Sequence, residues 1–136
     1  MATTTLDPVS PAFASTKLEE LQNALAECRV ACGHSADTWL ANSPLAPDAL
    51  RCIRLMLDCA DLCMAAEELL PFVPEISPSL LRSRLNTCAV ACERCVRDAQ
   101  RHRTGPVAAS IDACRRAGRA CQEILPLLPT VAIAAA

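Results

Sequence analysis

Residues 87–102 read TCAVACERCVRDAQRH, and the spacing inside this stretch decides the fold. Cys88, Cys92, Cys95 and His102 follow one another at steps of four, three and seven. Such steps return to one face of a helix that turns every 3.6 residues, whereas a strand alternates faces at every residue. No glycine or proline interrupts the run. The stretch is therefore a helix with a stripe of thiols. Were the stripe only core filling, leucine would bury more apolar surface without the liability to oxidation.

The pattern extends in both directions, and proline marks where it stops. Thr16-Lys17-Leu18-Glu19 reads as a capping box opening a helix over about 17–41, before Asn42-Ser43-Pro44. Pro47 suits a first helical position, and the second helix spans about 47–70, stopped by Pro71. Ser77-Pro78 opens a third over about 78–103, and Pro106 a fourth over about 106–125, before Pro126. Connections this short make neighbouring helices antiparallel. The expected fold is all-α, an antiparallel up-down four-helix bundle with a cysteine-lined core, over residues 15–128. Residues 1–14 and 129–136 are expected to be flexible ends.

Composition agrees with that class. The 136 residues suffice for one domain with a real core. Apolar residues make up 52%, yet the aromatics are only Phe13, Phe72 and Trp39, so alanine, leucine and cysteine supply the interior. Glycine is scarce and β-branched residues are too thin for a sheet. A net charge of -2 argues against nucleic acid as a partner. Lys17 is the single lysine, and the many arginines suit ion pairs on exposed helix faces.

The opening MATTTLDPVSPAFA has neither a basic region nor an apolar run, so no export signal is expected. The closing LPLLPTVAIAAA is too short and too proline-broken to span a membrane. The expected location is cytoplasmic, where ten cysteines stay reduced and serve metal or redox chemistry.

Each helix carries a stripe at alternating threes and fours, the seam of a bundle. The first offers Leu18, Leu21, Leu25, Cys28, Cys32, Ser35 and Trp39; the second Ala49, Cys52, Met56, Cys59, Cys63, Ala66 and Leu70. The third offers Leu81, Leu85, Cys88, Cys92, Cys95, Ala99 and His102; the fourth Val107, Ser110, Cys114, Ala117, Cys121 and Ile124. All ten cysteines lie on these stripes. Folding the stripes back at the turns predicts a layer of Cys28, Cys63, Cys88 and Cys121. A second layer would hold Cys32, Cys59 and Cys92 with Ala117, and a third Cys95, Cys114, Met56 and Ser35. An end layer would join Cys52, Trp39, Ala99 and Ser110 near His102, with leucines closing the other end.

One or two buried cysteines are ordinary small hydrophobes. Ten on four inner faces are not so easily dismissed. Permanent disulfides are disfavoured by the expected compartment, and neighbours along one helix would be strained on closure. One tetrahedral Zn²⁺ would occupy four thiols and leave the rest idle. Iron–sulfur runs use tighter spacing. Cu(I) is satisfied by soft thiolate pairs. Spacings of four at Cys28/Cys32, Cys59/Cys63 and Cys88/Cys92 put two sulfurs on consecutive turns, and Cys92/Cys95 adds a step of three. Repeated pairs make several sites rather than one cage.

These residues resemble the cysteine-rich four-helix-bundle copper storage proteins of bacteria. The resemblance covers residues 25–123 and is strongest in LRCIRLMLDCADLCMAAEELL, TCAVACERCVRDAQRH and DACRRAGRACQEI. It implies several Cu(I) ions held inside the bundle by Cys28, Cys32, Cys52, Cys59, Cys63, Cys88, Cys92, Cys95, Cys114 and Cys121. It also implies copper donor thiols or a copper chaperone as partners. The chain departs from the family pattern at Ser35, Met56, Ala66, Ala99 and Ala117, where further cysteines would stand, so lower capacity is expected. Met56 is an accessory thioether ligand or a core gap-filler. In the family, histidines near one open end are associated with metal ingress, a role His102 would take unless it merely caps its helix. His34 lies off the stripe and is expected at the surface.

Stoichiometric binding is expected, not turnover: no nucleophile triad, phosphate loop or HExxH is present. Glu19-Glu20 and Glu67-Glu68 are read as solvated faces. Arg29, Arg94, Arg97 and Arg115 are expected to offset thiolate charge in part. The alanine-rich face at 65–68 offers a surface for a homo-oligomer. Three alternatives stand beside copper storage: a thiol redox or sensing protein, a bundle with a single Zn²⁺, and a storage-deficient relative serving as a structural or interaction module.

Overall fold

The computed structural model describes residues 10–42 and 44–128. Four helices, α1 (Pro11–Leu40), α2 (Pro47–Leu69), α3 (Pro78–Ala99) and α4 (Ala108–Ile124), run up and down in turn. Single 3-10 turns at Leu70–Phe72 and Leu125–Leu127 follow α2 and α4 at the same end of the bundle. α1 and α3 each pack against both α2 and α4, the neighbour pattern of an antiparallel four-helix bundle.

Local chemistry sets the ends. α1 starts six residues earlier than the Thr16 capping box predicts, because Ser10 caps it. The Ser10 hydroxyl accepts the Phe13 N–H at 3.1 Å, with Pro11 in the first turn. Thr16 instead donates its hydroxyl to the Ala12 carbonyl at 3.0 Å inside the helix. The expected flexible segment 1–14 is thus corrected at 11–14, which are helical, with Ala14 fully buried. Residues 1–9 and the expected flexible tail 129–136 lie outside the described residues.

α3 ends at Ala99 rather than near 103, and α4 begins at Ala108 rather than Pro106. Between them the His102 N–H donates to the Ala99 carbonyl at 2.9 Å and the Gly105 N–H to the His102 carbonyl at 2.8 Å. The Trp39 indole lies against this turn, so a Cβ on Gly105 would stand 3.0 Å from its ring. Glycine is what lets the turn close over the tryptophan.

Every residue of the four expected stripes is buried except Leu18 and His102, which are half-buried. Ala36, Ile53, Ala60 and Ala113 are buried beside them, widening each stripe beyond a strict coiled-coil seam. Along the axis the core has three zones. Leu21, Leu25, Leu81, Leu85 and Ile124 fill one end, cysteine fills the middle, and Trp39 with His102 occupies the other end.

Because the apolar end is independent of any metal, the reduced, metal-free chain should be folded and cooperative. Leu85→Ala should lower its stability by about 2–5 kcal/mol, the cost of a buried leucine cavity. Thr87→Ala, at an exposed position two residues on, should stay within about 0.5 kcal/mol. Chemical denaturation followed by circular dichroism reads both.

Candidate metal centre

All ten cysteines are free and buried. The steps of three and four turn each sulfur toward the axis, and antiparallel packing brings sulfurs from different helices together. Cys28 lies 4.0 Å from Cys32 along α1, 3.8 Å from Cys59 on α2 and 3.6 Å from Cys114 on α4. Cys114 is also 3.5 Å from Cys32 and 3.8 Å from Cys59. Cys59 reaches Cys92 on α3 at 3.7 Å, and Cys63 reaches Cys88 at 3.4 Å.

These contacts form three linked thiol groups whose sulfurs lie within 4.8 Å of one another: Cys28/Cys59/Cys92/Cys114, Cys32/Cys95/Cys114 and Cys63/Cys88/Cys92. Cys121 sits beside Cys88. Cys52 stands apart, grouped with Asp98 and His102 at the tryptophan end.

The predicted pairings between α2 and α3 are those observed. The predicted four-thiol layer is not. Cys28 lies 3.8 Å from Cys59 and also neighbours Cys63, so α1 is shifted along its axis from the expected register by less than a full turn. The reason lies in the first connection: α1 stops at Leu40 and α2 starts at Pro47, and folding about the midpoint of those two residues sets Cys28 opposite Cys59. The four-thiol layer is therefore Cys28, Cys59, Cys92 and Cys114, one from each helix.

The positions that depart from the family pattern are filled without thiols. Ser35 and Ser110 are buried and satisfy each other: the Ser110 hydroxyl lies 2.7 Å from that of Ser35 and 3.2 Å from the Ala31 carbonyl. Ala66, Ala99 and Ala117 are buried. Met56 is fully buried on α2 between the levels of Cys52 and Cys59. His34 is exposed. His102 is half-buried, its ring edge-on to Trp39 at 5.2 Å between centroids. The sequence reading missed Asp98, although its place four residues before His102 in a stretch read as helical was a usable signal.

Packing thiols this closely makes their ionisation unequal. Cys114 is pushed far above the usual thiol range by its contact with Cys28 first, then Cys32 and Cys59. Cys28 is held far below it, chiefly by Cys114. Cys59 is lowered to about 7, again chiefly by Cys114. At the leucine side Cys88 is lowered and Cys121 raised by their mutual contact. Cys52 is pushed up to about 12 by burial and then by the charge of Asp98. The column therefore contains thiols ready to ionise next to thiols that hold their protons.

The arginines pair with carboxylates. Arg29 donates to Glu67 at 2.7 Å across α1 and α2, Arg97 to Glu93 at 2.7 Å along α3, and Arg116 to Glu27 at 3.2 Å. Arg29 and Arg97 send their hydrogen bonds to Glu67 and Glu93, and Arg29 also feels a smaller attraction from Cys63. On the flank between α3 and α4 a groove of about 450 Å³ reaches Cys92 and Cys114, edged by Arg97, Arg115 and Arg119.

Sulfurs 3.4–4.0 Å apart are within reach of one soft ion at metal–sulfur bonds of about 2.3 Å. A linked set of such pairs holds several ions side by side. Comparison with known proteins agrees with that chemistry. The copper storage protein family matches residues 14–126. A cytosolic copper storage protein of Streptomyces lividans carrying five coppers superposes with a TM-score of 0.78 and 29% identity, covering 85% of this chain and 97% of that one. The same protein loaded with ten copper equivalents gives 0.77 and 28%, covering 91% and 93%. A histidine-to-alanine variant of it gives 0.76 and 30%, covering 82% and 94%. No curated protein matches the chain. With its fold, its thiol column and nearly the whole helical region matched, this chain belongs to the copper storage protein family.

Proposed function

We propose that the protein is a cytoplasmic store that takes up several Cu(I) ions per chain onto cysteine pairs and releases them without turnover. The observation that carries this reading is the continuous set of sulfur contacts at 3.4–4.0 Å joining all four helices. Cu(I) is the first-row ion best matched to such a set, being soft and satisfied by two thiolates. Zn²⁺ fits the layer Cys28/Cys59/Cys92/Cys114 as a single tetrahedral guest and is the runner-up metal. Among the described residues no helix is long and apolar enough to cross a membrane, and the Streptomyces relative is a cytosolic protein.

Copper arrives from donor thiols or a copper chaperone and enters by the end where His102 is half-buried. Thiol exchange from donor to column needs no reaction beyond transfer of the ion and of a proton. A second copy of the chain is the other partner in this reading. Leu50, Leu57 and Met64 are exposed along α2 at intervals of seven, which places three apolar side chains on one outer stripe. The redox alternative has one observation in its favour, the Cys63–Cys88 contact at 3.4 Å between two helices. Mild peroxide that reversibly removes just that pair of thiols, with no uptake of Cu(I), would make it the better reading.

Titration of the reduced, metal-free protein with Cu(I) against a calibrated chelator should show several tight equivalents, about five if each ion takes an unshared pair. A single equivalent of Zn²⁺ with no preference for Cu(I) would overturn storage. Cys114→Ala should cost more capacity than Cys121→Ala, because Cys114 contacts Cys28, Cys32 and Cys59. In weakly buffered solution near neutral pH each bound ion should release about one to two protons. Thiols raised above the ordinary range, Cys114 among them, still carry theirs at that pH. Affinity should therefore rise with pH until those protons are gone, as the pH dependence of the chelator competition will show.

A further inference from the structure

The grooves along the flanks of the bundle are not alike. One between α1 and α4, by Val30 and Ala109, and one between α2 and α3, by Leu62 and Val90, are lined by no cysteine. The groove of about 450 Å³ between α3 and α4 has both Cys92 and Cys114 in its lining, with Gly118 beside them. These are the sulfurs that the linked thiol groups share. Cys92 belongs to Cys28/Cys59/Cys92/Cys114 and to Cys63/Cys88/Cys92, and Cys114 to the first of these and to Cys32/Cys95/Cys114. Among the described residues no other cysteine belongs to two groups. The rim of the same groove is cationic. Arg97, Arg115 and Arg119 stand there against one carboxylate, Glu93, which Arg97 already meets at 2.7 Å. Among the described residues Arg115 and Arg119 make no ion pair. On a chain of net charge -2 they concentrate positive potential at one place.

We infer that this groove is where a small anionic thiol, one bearing carboxylates, docks and draws Cu(I) out of the column, a step that presupposes copper storage and adds to it the route and the class of acceptor. A cleft of this volume takes a small molecule. Guanidinium groups hold carboxylates by paired, charge-assisted hydrogen bonds, so Arg115 and Arg119 are suited to anchor the acid end. The thiol end then reaches Cys92 and Cys114. One copper–sulfur bond forms to the incoming sulfur as one to a cysteine breaks. The proton of the incoming thiol passes to that cysteine, and copper stays Cu(I). Because both cysteines are shared, each emptied pair is refilled from the adjoining group, and one docking place drains the whole column. A neutral thiol can follow the same route but gains nothing from the arginines.

The test loads the full chain with Cu(I) and follows its removal to a coloured chelator, with mercaptosuccinate (two carboxylates) or neutral thioglycerol added. The rate with chelator alone is subtracted for each variant. Arg115→Gln with Arg119→Gln should slow removal by mercaptosuccinate about three- to tenfold and leave removal by thioglycerol within about twofold. That difference should fade in about 1 M salt, where charges are screened beyond roughly 3 Å. Gly118→Leu should slow both thiols by filling the groove, with the number of Cu(I) ions bound unchanged. Its Cβ would stand 3.6 Å from that of Cys92, an ordinary contact. If Gly118→Leu does not fold, Gly118→Ala, a residue favoured within a helix, should give a smaller slowing in the same direction. Rates indifferent to the Gly118 and arginine substitutions, or arginine substitutions that slow both thiols equally, would overturn the docking site while storage stands. A wild-type chain that takes up no Cu(I) would overturn both.

Discussion

Sulfur packed against sulfur on the bundle axis is the constraint on which everything else rests. A thiol is small, weakly polar and unbranched beyond Cβ, so helices lined with it approach closely while leaving donor atoms at the centre. The cost is a core with less apolar area per side chain than leucine would provide. The chain meets that cost by segregation. Leu21, Leu25, Leu81 and Leu85 secure one end, and the sulfur zone is free to be chosen for its chemistry.

The same segregation explains why polar groups are confined to particular levels. Ser35, at one potential donor position, forms with Ser110 a mutually satisfied hydroxyl pair whose remaining bond goes to the Ala31 carbonyl. That arrangement is stable in its own right and has no use for an ion. Asp98 is the opposite case, a charged group held inside with one oxygen unanswered. Between the two extremes lie the thiols, which contact one another in ways that divide protons unevenly among them.

Much of this was legible in the letters. Steps of three and four in TCAVACERCVRDAQRH identify both the helix and its inner face, because burial follows the helical period, and nearly every residue so placed is buried. What the letters hid was longitudinal. Sliding one antiparallel helix past another preserves every inward-facing residue, so periodicity is blind to it, and Cys28 met Cys59 as well as Cys63. The start of α1 was misread because two cap signals compete there, and Ser10 followed by proline prevailed over Thr16. Asp98 escaped notice because charged residues on helices usually face water, and only the packing of Trp39 against its neighbour His102 reveals otherwise.

Gly118 gives the thiol column an uneven wall. A side chain there would sit on Cys92, its Cβ 3.6 Å from that of the cysteine, yet the position carries only hydrogen. Where the other helices screen the axis with a full layer of side chains, α4 at this point is a bare backbone beside the arginine-edged groove. Small reagents approaching from the flank therefore meet Cys92 and Cys114 before any other sulfur. A reagent taking this route crosses a thinner wall than one entering along the bundle axis, where Leu21, Leu25, Leu81 and Leu85 close one end.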